Sequence, residues 1–425
     1  MTRIISVAVA AVTVGACTSG TTAPNPPTAS TVAAGSPWIG NFVPAALPAP
    51  VNALTDVACA SSFRCWAVGS TTGGSGAPNG AALVTTADGG ASWTTQTIPS
   101  TVAYLSAIAC SDQRRCIAVG QAAQSPNGQA ASIATSDGGT SWTPLEAPAG
   151  ILDLTAVTCR PDRRCVAVGT TAEGSTALMA TLPASGWTEQ GPLPTGISGA
   201  TAISCTDDRT CWVTGRSPID ADHVKGTVAV SADGGATWAL EVMPTGLGSL
   251  NGVSCLPGPT TGSGALPAPS GPIAAPPIAA PPTTSPPTTS PPTSTTAPAP
   301  IIGVAGARCT VVGTSATVLN SARAGHGILL TTDNGGATWK NRPVPETTAA
   351  LTDISCTGLA TCVAVGSTVA SVPAAGVIMV SGSVAGPWRS APSVSGPLPL
   401  SAVSCVSVSS CVAVGESISE HLSGG

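Results

Sequence analysis

The chain has 425 residues, yet only 8% are charged and 3% aromatic, while Gly (49) and Pro (40) together exceed a fifth of it. A chain of this kind is either partly disordered or built from many short strands joined by tight turns. The formal net charge of -5 supplies no basic field for phosphates, which argues against a nucleic-acid partner.

At the N-terminus, Met1-Thr2-Arg3 carries one positive charge and is followed by a mainly apolar run from Ile4 to Ala16. That run is too short to span a bilayer but suits the core of a signal peptide. It ends in Val14-Gly15-Ala16-Cys17, which resembles the bacterial lipobox. The resemblance implies that residues 1–17 act as a lipoprotein signal, with Cys17 diacylated. The protein is then expected at the extracytoplasmic face of the cell membrane, held by a lipid anchor. Residues 18–30, rich in Thr, Ser and Pro, read as a disordered tether.

Fifteen cysteines are present. Without Cys17, the rest fall into pairs: Cys59/Cys65, Cys110/Cys116, Cys159/Cys165, Cys205/Cys211, Cys356/Cys362 and Cys405/Cys411 share one spacing, and Cys255/Cys309 has the same flanks around a long insertion. An even, regularly spaced set in an exported chain implies disulfides. A zinc site fits less well, because Cys ligands favour shorter spacings and none of the three His lies beside a pair. Two Cys facing each other across a short hairpin have Cα atoms about 4.5–5.5 Å apart, within reach of an S–S bond. No metal and no cofactor is expected.

The first Cys of each pair falls at 59, 110, 159, 205, 255, 356 and 405, a period near fifty once the insertion is set aside. Each period repeats four pieces. A short apolar run ends in Cys, as in Leu54–Cys59, and Cys-x-Ala-Val-Gly follows, as in Cys116–Gly120. A β-branched run such as Ala82–Thr86 then leads into a turn and a Trp-led strand, as in Asp88–Trp93. Four short strands per fifty residues are the pattern of a propeller blade. Trp38, Trp93, Trp142, Trp187, Trp238, Trp339 and Trp388 give one Trp strand before each Cys pair. The expected fold is therefore an all-β seven-bladed β-propeller over residues 31–425, with four-stranded blades and one disulfide per blade. The last blade, which lacks its own Trp strand, is expected to be closed from the N-terminal side by residues 33–38.

The turns resemble the Asp-box of bacterial neuraminidases, in good copies at Thr86–Trp93, Ser136–Trp142, Ser231–Trp238 and Thr331–Trp339. Degraded copies at Pro183–Trp187 and Ser381–Trp388 keep the Trp and lose the Asp. The resemblance implies that the Asp holds the hairpin amides and that the Trp packs between blades, so the boxes are structural. The repeat is also similar to photosystem-assembly-factor-like propellers, which implies an interaction role.

Strand alternation puts Cys hairpins and Asp-boxes on one face, and the remaining loops on the other. In sialidase-like propellers the active site lies on that second face. Arg64, Arg114, Arg115, Arg163, Arg164, Arg209 and Arg308 sit in or beside the Cys hairpins, so they read as solvated turn residues or as an electropositive rim. The single tyrosine, Tyr104, reads as a loop residue on the second face without a matching Arg triad. A sialidase-type glycoside hydrolase is thus the alternative to a non-catalytic protein. The densest polar loops on that face carry Asp220, Asp222 and His223, then Arg323 and His326, the residues expected to touch a polar ligand. Their plain reading is a solvated loop.

Residues 257–300 are dominated by Pro, Thr and Ser and read as a disordered polyproline insertion in the fifth blade. The expected whole is a monomeric, non-catalytic binding or scaffold/assembly protein for a protein or glycan partner.

Overall fold

A computed structural model describes residues 12–14, 42–43 and 45–415, apart from 74–79, 124–128, 184–185, 220–223, 259–305, 316–324, 359–360, 369–374, 383–385, 392–397 and 408. The fold is an all-β propeller of four-stranded blades. Seven inner strands surround the axis: Val51–Cys59, Val102–Cys110, Ile151–Cys159, Gly199–Cys205, Leu247–Leu256, Thr348–Thr357 and Leu400–Ser407. Each pairs antiparallel with the strand that follows it.

Six repeats fold as complete blades, which corrects the expectation of seven. Among the described residues the seventh supplies only Leu400–Ser407 and Ser410–Gly415 of its own. Two short N-terminal strands, Val12–Val14 and Phe42–Val43, fill out this sheet, and Val12 pairs with Ala413. The residues expected to do so, 33–38, lie outside the described residues, as does Cys17. The strand Val12–Val14 belongs to the full-length chain, and a chain cleaved ahead of Cys17 would lack it.

The cysteine pairing drawn from the spacing is the pairing of the structure. Cys59–Cys65, Cys110–Cys116, Cys159–Cys165, Cys205–Cys211, Cys255–Cys309, Cys356–Cys362 and Cys405–Cys411 are disulfide-bonded. Their Cα atoms are 4.0–4.1 Å apart, closer than the 4.5–5.5 Å expected from strand pairing alone. The two members of each pair sit directly opposite in register. The second members, Cys65, Cys116, Cys165, Cys211, Cys309, Cys362 and Cys411, are all buried in the junctions between sheets. Of the first members, only Cys255 is buried. Each bond thus ties the inner strand to a sulfur already held by packing. The insertion leaves a closed base: Leu256 pairs with Arg308, and Gly258 lies against Gly306.

Seven apolar clusters fill the junctions between neighbouring sheets, and there is no single central core among the described residues. Each Trp of a well-formed turn packs toward the preceding blade. Trp142 joins Trp66 and Val68. Trp187, from a degraded turn, does the same: it joins Ile117 and Val119 while donating to Ser132 Oγ at 2.8 Å. Trp66 and Trp212 fill the same interfaces fully buried. Since the junctions are separate clusters rather than one central core, cross-links matter to a chain with two Phe and one Tyr.

The candidate binding face and the central channel

The inner edge is built by a repeated bulge. Every inner strand has an extra residue at the same place: Thr55, Ser106, Thr155, Thr201, Asn251, Thr352 or Ser401. The Gly of Cys-x-Ala-Val-Gly faces the residue just before the bulge, as Gly69 faces Leu54 and Gly366 faces Leu351. A Cβ at Gly69 would collide with the Ala53 carbonyl, and one at Gly366 with the Ala350 carbonyl. The motif keeps glycine because the bulged strand approaches too closely for any side chain.

Inner strands expose an unpaired edge to the channel, and side chains of the preceding blade satisfy part of it. Thr55 Oγ1 donates to Leu105 O at 3.2 Å, Asn251 Nδ2 to Leu351 O at 2.9 Å, and Thr352 Oγ1 to Leu400 O at 2.7 Å. One turn deeper, the amides of Cys255, Cys356, Cys405 and Cys59 donate to Ser204, Ser254, Ser355 and Ser404 at 3.0–3.1 Å. The last of these joins the composite sheet to the first blade, so the ring is closed by hydrogen bonds as well as by packing.

Two carboxylates belong to this stitching, and sequence reading missed them. Asp56 accepts the Val57 amide at 2.8 Å and, across the blade junction, the Ile108 amide at 2.7 Å. Asp353 accepts the Val403 amide at 2.8 Å. Both line a channel of about 380 Å³ walled by all seven inner strands. Burial, then the charge of Asp353, pushes Asp56 up to about 8 despite its amide donors. Burial likewise raises Asp353 to about 6. Only two of seven repeats carry Asp here. The others have Ala107, Ala156, Ala202, Gly252 and Ala402, so no repeat pattern marked the position.

On the disulfide face, each well-formed turn is a closed set of bonds. Thr135 Oγ1 donates to Asp137 at 2.7 Å, and Asp137 accepts the Ser141 amide at 3.0 Å and its hydroxyl at 2.6 Å. The Ser141 hydroxyl, then its amide, then Thr135 hold the Asp137 carboxyl below the usual range. In the fifth blade Asn334, paired with Thr332, takes the Asp position, while Asp333 faces Lys340 at 3.3 Å. The hydroxyl partners are therefore Thr135 and Thr332, one residue away from the Ser136 and Thr331 with which those sequence copies begin.

These turns dock on the Cys hairpins of their own blades, with Gly89 N donating to Phe63 O at 2.9 Å and Gly138 N to Arg114 O at 2.9 Å. Arg64 reaches to the next blade's Gly138 O at 2.6 Å and stacks over Trp66. Arg115 pairs with Asp112 at 2.7 Å, and Arg164 faces Asp208 at 3.7 Å. Much of the arginine rim is thus spent within the face.

The opposite face carries the connections between second and third strands and those between blades. Asp220, Asp222, His223 and Arg323 lie outside the described residues. His326 is exposed, and its backbone bonds with Ser315 in both directions, at 2.7 and 3.0 Å. Of the predicted cluster, only His326 falls among the described residues. Tyr104 is corrected from loop to inner strand, Val102–Cys110, where its backbone pairs with Gln121. Burial, and then the Asp153 charge, raises its hydroxyl pKa, partly offset by a hydrogen bond with Thr55.

This face also holds a cleft of about 600 Å³ between the third and fourth blades. It opens because the second and third strands of the third blade are joined by Ala172 and Glu173 alone. Among the described residues no group of three or more His, Cys, Asp or Glu could hold a metal, and no helix is long and apolar enough to cross a membrane.

No family model matches the chain, and no curated protein does. Solved structures do. YCF48 bound to D1 peptide is similar with a TM-score of 0.52 at 12% identity, over 87% of this chain and 92% of that one. YCF48 from Cyanidioschyzon merolae gives 0.51 at 13%, over 87% and 95%. A GH74 xyloglucanase from Xanthomonas campestris gives 0.48 at 11%, over 84% and 49%. At these identities the likeness shows the propeller fold alone.

Proposed function

We propose that this protein is a non-catalytic binding or scaffold/assembly lipoprotein, anchored through Cys17 at the extracytoplasmic face of the cell membrane, which offers the face away from its disulfides to a protein partner. The observation that carries this reading is the asymmetry of the two faces. One is cross-braced by seven S–S links and bonded turns, and its arginines are largely engaged. The other holds the variable connections and the larger cleft. Rigid scaffold with variable loops is the arrangement that binding proteins use. That YCF48, a propeller of similar fold, binds a peptide is consistent with a protein partner.

The sialidase-type alternative needs an activated tyrosine. Tyr104 is instead made less acidic by burial and by Asp153, and Asp56 and Asp353 already serve backbone amides of the inner strands. Cross-linking in cells followed by purification tests the proposal: one stoichiometric protein partner supports it. Turnover of a sialoside or glycoside by the purified protein, lost on Tyr104→Phe, would overturn it.

A further inference from the structure

We propose that the cleft between the third and fourth blades binds a short extended peptide through a cationic side chain, a lysine on its aliphatic stem being the best fit. The proposal rests on the protein-partner reading above and assigns that partner a place and a chemistry.

Glu173 and Glu189 are the only charged side chains among the residues lining the cleft. Glu189 is held in place, since Thr176 Oγ1 donates to its carboxylate at 3.0 Å. Thr171 Oγ1 accepts the Glu173 amide at 3.2 Å, which fixes the short hairpin that presents this carboxylate. Behind them Ile151, Leu193 and Ile197 form an aliphatic backing. An ammonium group on a four-carbon stem matches both features at once.

A second observation is independent of the acidic pair. Ser175 lines the same cleft and is only 5% exposed, and its buried hydroxyl has no hydrogen-bond partner among the described residues. A buried hydroxyl left unpaired costs free energy that a polar ligand group can recover. No Lys or Arg is among the lining residues; Arg216, whose carbonyl accepts the Ser198 amide, flanks the cleft rim. A space of about 600 Å³ exceeds one side chain and accommodates several residues of extended peptide.

The test uses fluorescence anisotropy with the purified full-length protein. Three nine-residue Ala/Pro peptides differ only in a central lysine, norleucine or glutamate. The lysine peptide should bind roughly tenfold or more tightly than the norleucine peptide, weaken with salt, and lose several-fold affinity on Glu189→Gln, as expected for charge-assisted bonds. Thr195→Arg, on an exposed turn at the cleft rim, places a competing cation without disturbing the core and should abolish binding. Equal binding of lysine and norleucine peptides, or binding untouched by Thr195→Arg, overturns the inference. If no peptide binds while cells yield a stoichiometric partner cross-linked elsewhere, this site is refuted and the proposed function stands.

Discussion

The two faces of the propeller are made of the same repeats yet solve different problems. On the disulfide face each blade is covalently closed at its Cys hairpin, with a short connection in all but the fifth blade, and turns such as Thr135–Ser141 satisfy their own amides. On the other face the connections vary, from the two-residue link at Ala172–Glu173 to longer ones such as 316–326. Local chemistry fixes the first face blade by blade, which leaves the second free to diverge without loss of fold.

The sharpest way to break this comparison is at the bulge that both faces share. Gly69→Val would drive a side chain into the Ala53 carbonyl and should cost on the order of 4 kcal/mol or more, read by chemical denaturation. A smaller effect follows from the disulfides. Loop-closure entropy gives about 4 kcal/mol for Cys255–Cys309, with its sequence separation of 54, but only about 2.4 kcal/mol for Cys110–Cys116, with 6. Replacing each pair by Ser should reproduce that order; equal losses would show that the long insertion is already constrained when the chain unfolds.

Smaller still, Asp137→Ala should lower the melting temperature by roughly a few degrees, while Glu173→Gln on the other face should leave it within about one degree. A shift of the same size from both would erase the distinction between the faces.

The least dramatic test is pH. Asp56 and Asp353 have folded-state pKa values raised to about 8 and about 6, so the protonated forms favour the folded state. Their stabilising contribution is complete below the pKa of the unfolded chain and is lost as pH rises through 6 and then 8. Glu241, raised by burial to about 7, acts in the same direction. Melting temperature should fall between pH 5 and 9, and Asp56→Asn should flatten the upper part of that slope.

What the sequence disclosed was whatever recurs. The Cys pairs, the Gly after Cys-x-Ala-Val and the Asp–Trp turns repeat at fixed spacing, and each marks a place where geometry leaves one choice. What it hid was local and singular. Asp56 and Asp353 appear in two repeats of seven, and their role depends on the amide of a neighbouring blade some fifty residues away. Tyr104 reads as a loop residue because its neighbours are small and mixed, yet ladder pairing to Gln121 makes it strand. The cleft exists because one connection is short, and an absence leaves no motif. That the last repeat lacks its own Trp strand was legible, whereas the recruitment of Val12–Val14 was not, since that segment reads as a signal core.

Site-specific photo-cross-linking in cells tests the central claim most directly. A photoreactive residue is placed at Thr195 on the cleft face or at Phe63, an exposed side chain on the disulfide face. The account predicts a discrete protein adduct from position 195 and none from position 63. A specific adduct from position 63, with nothing captured at 195, would contradict it.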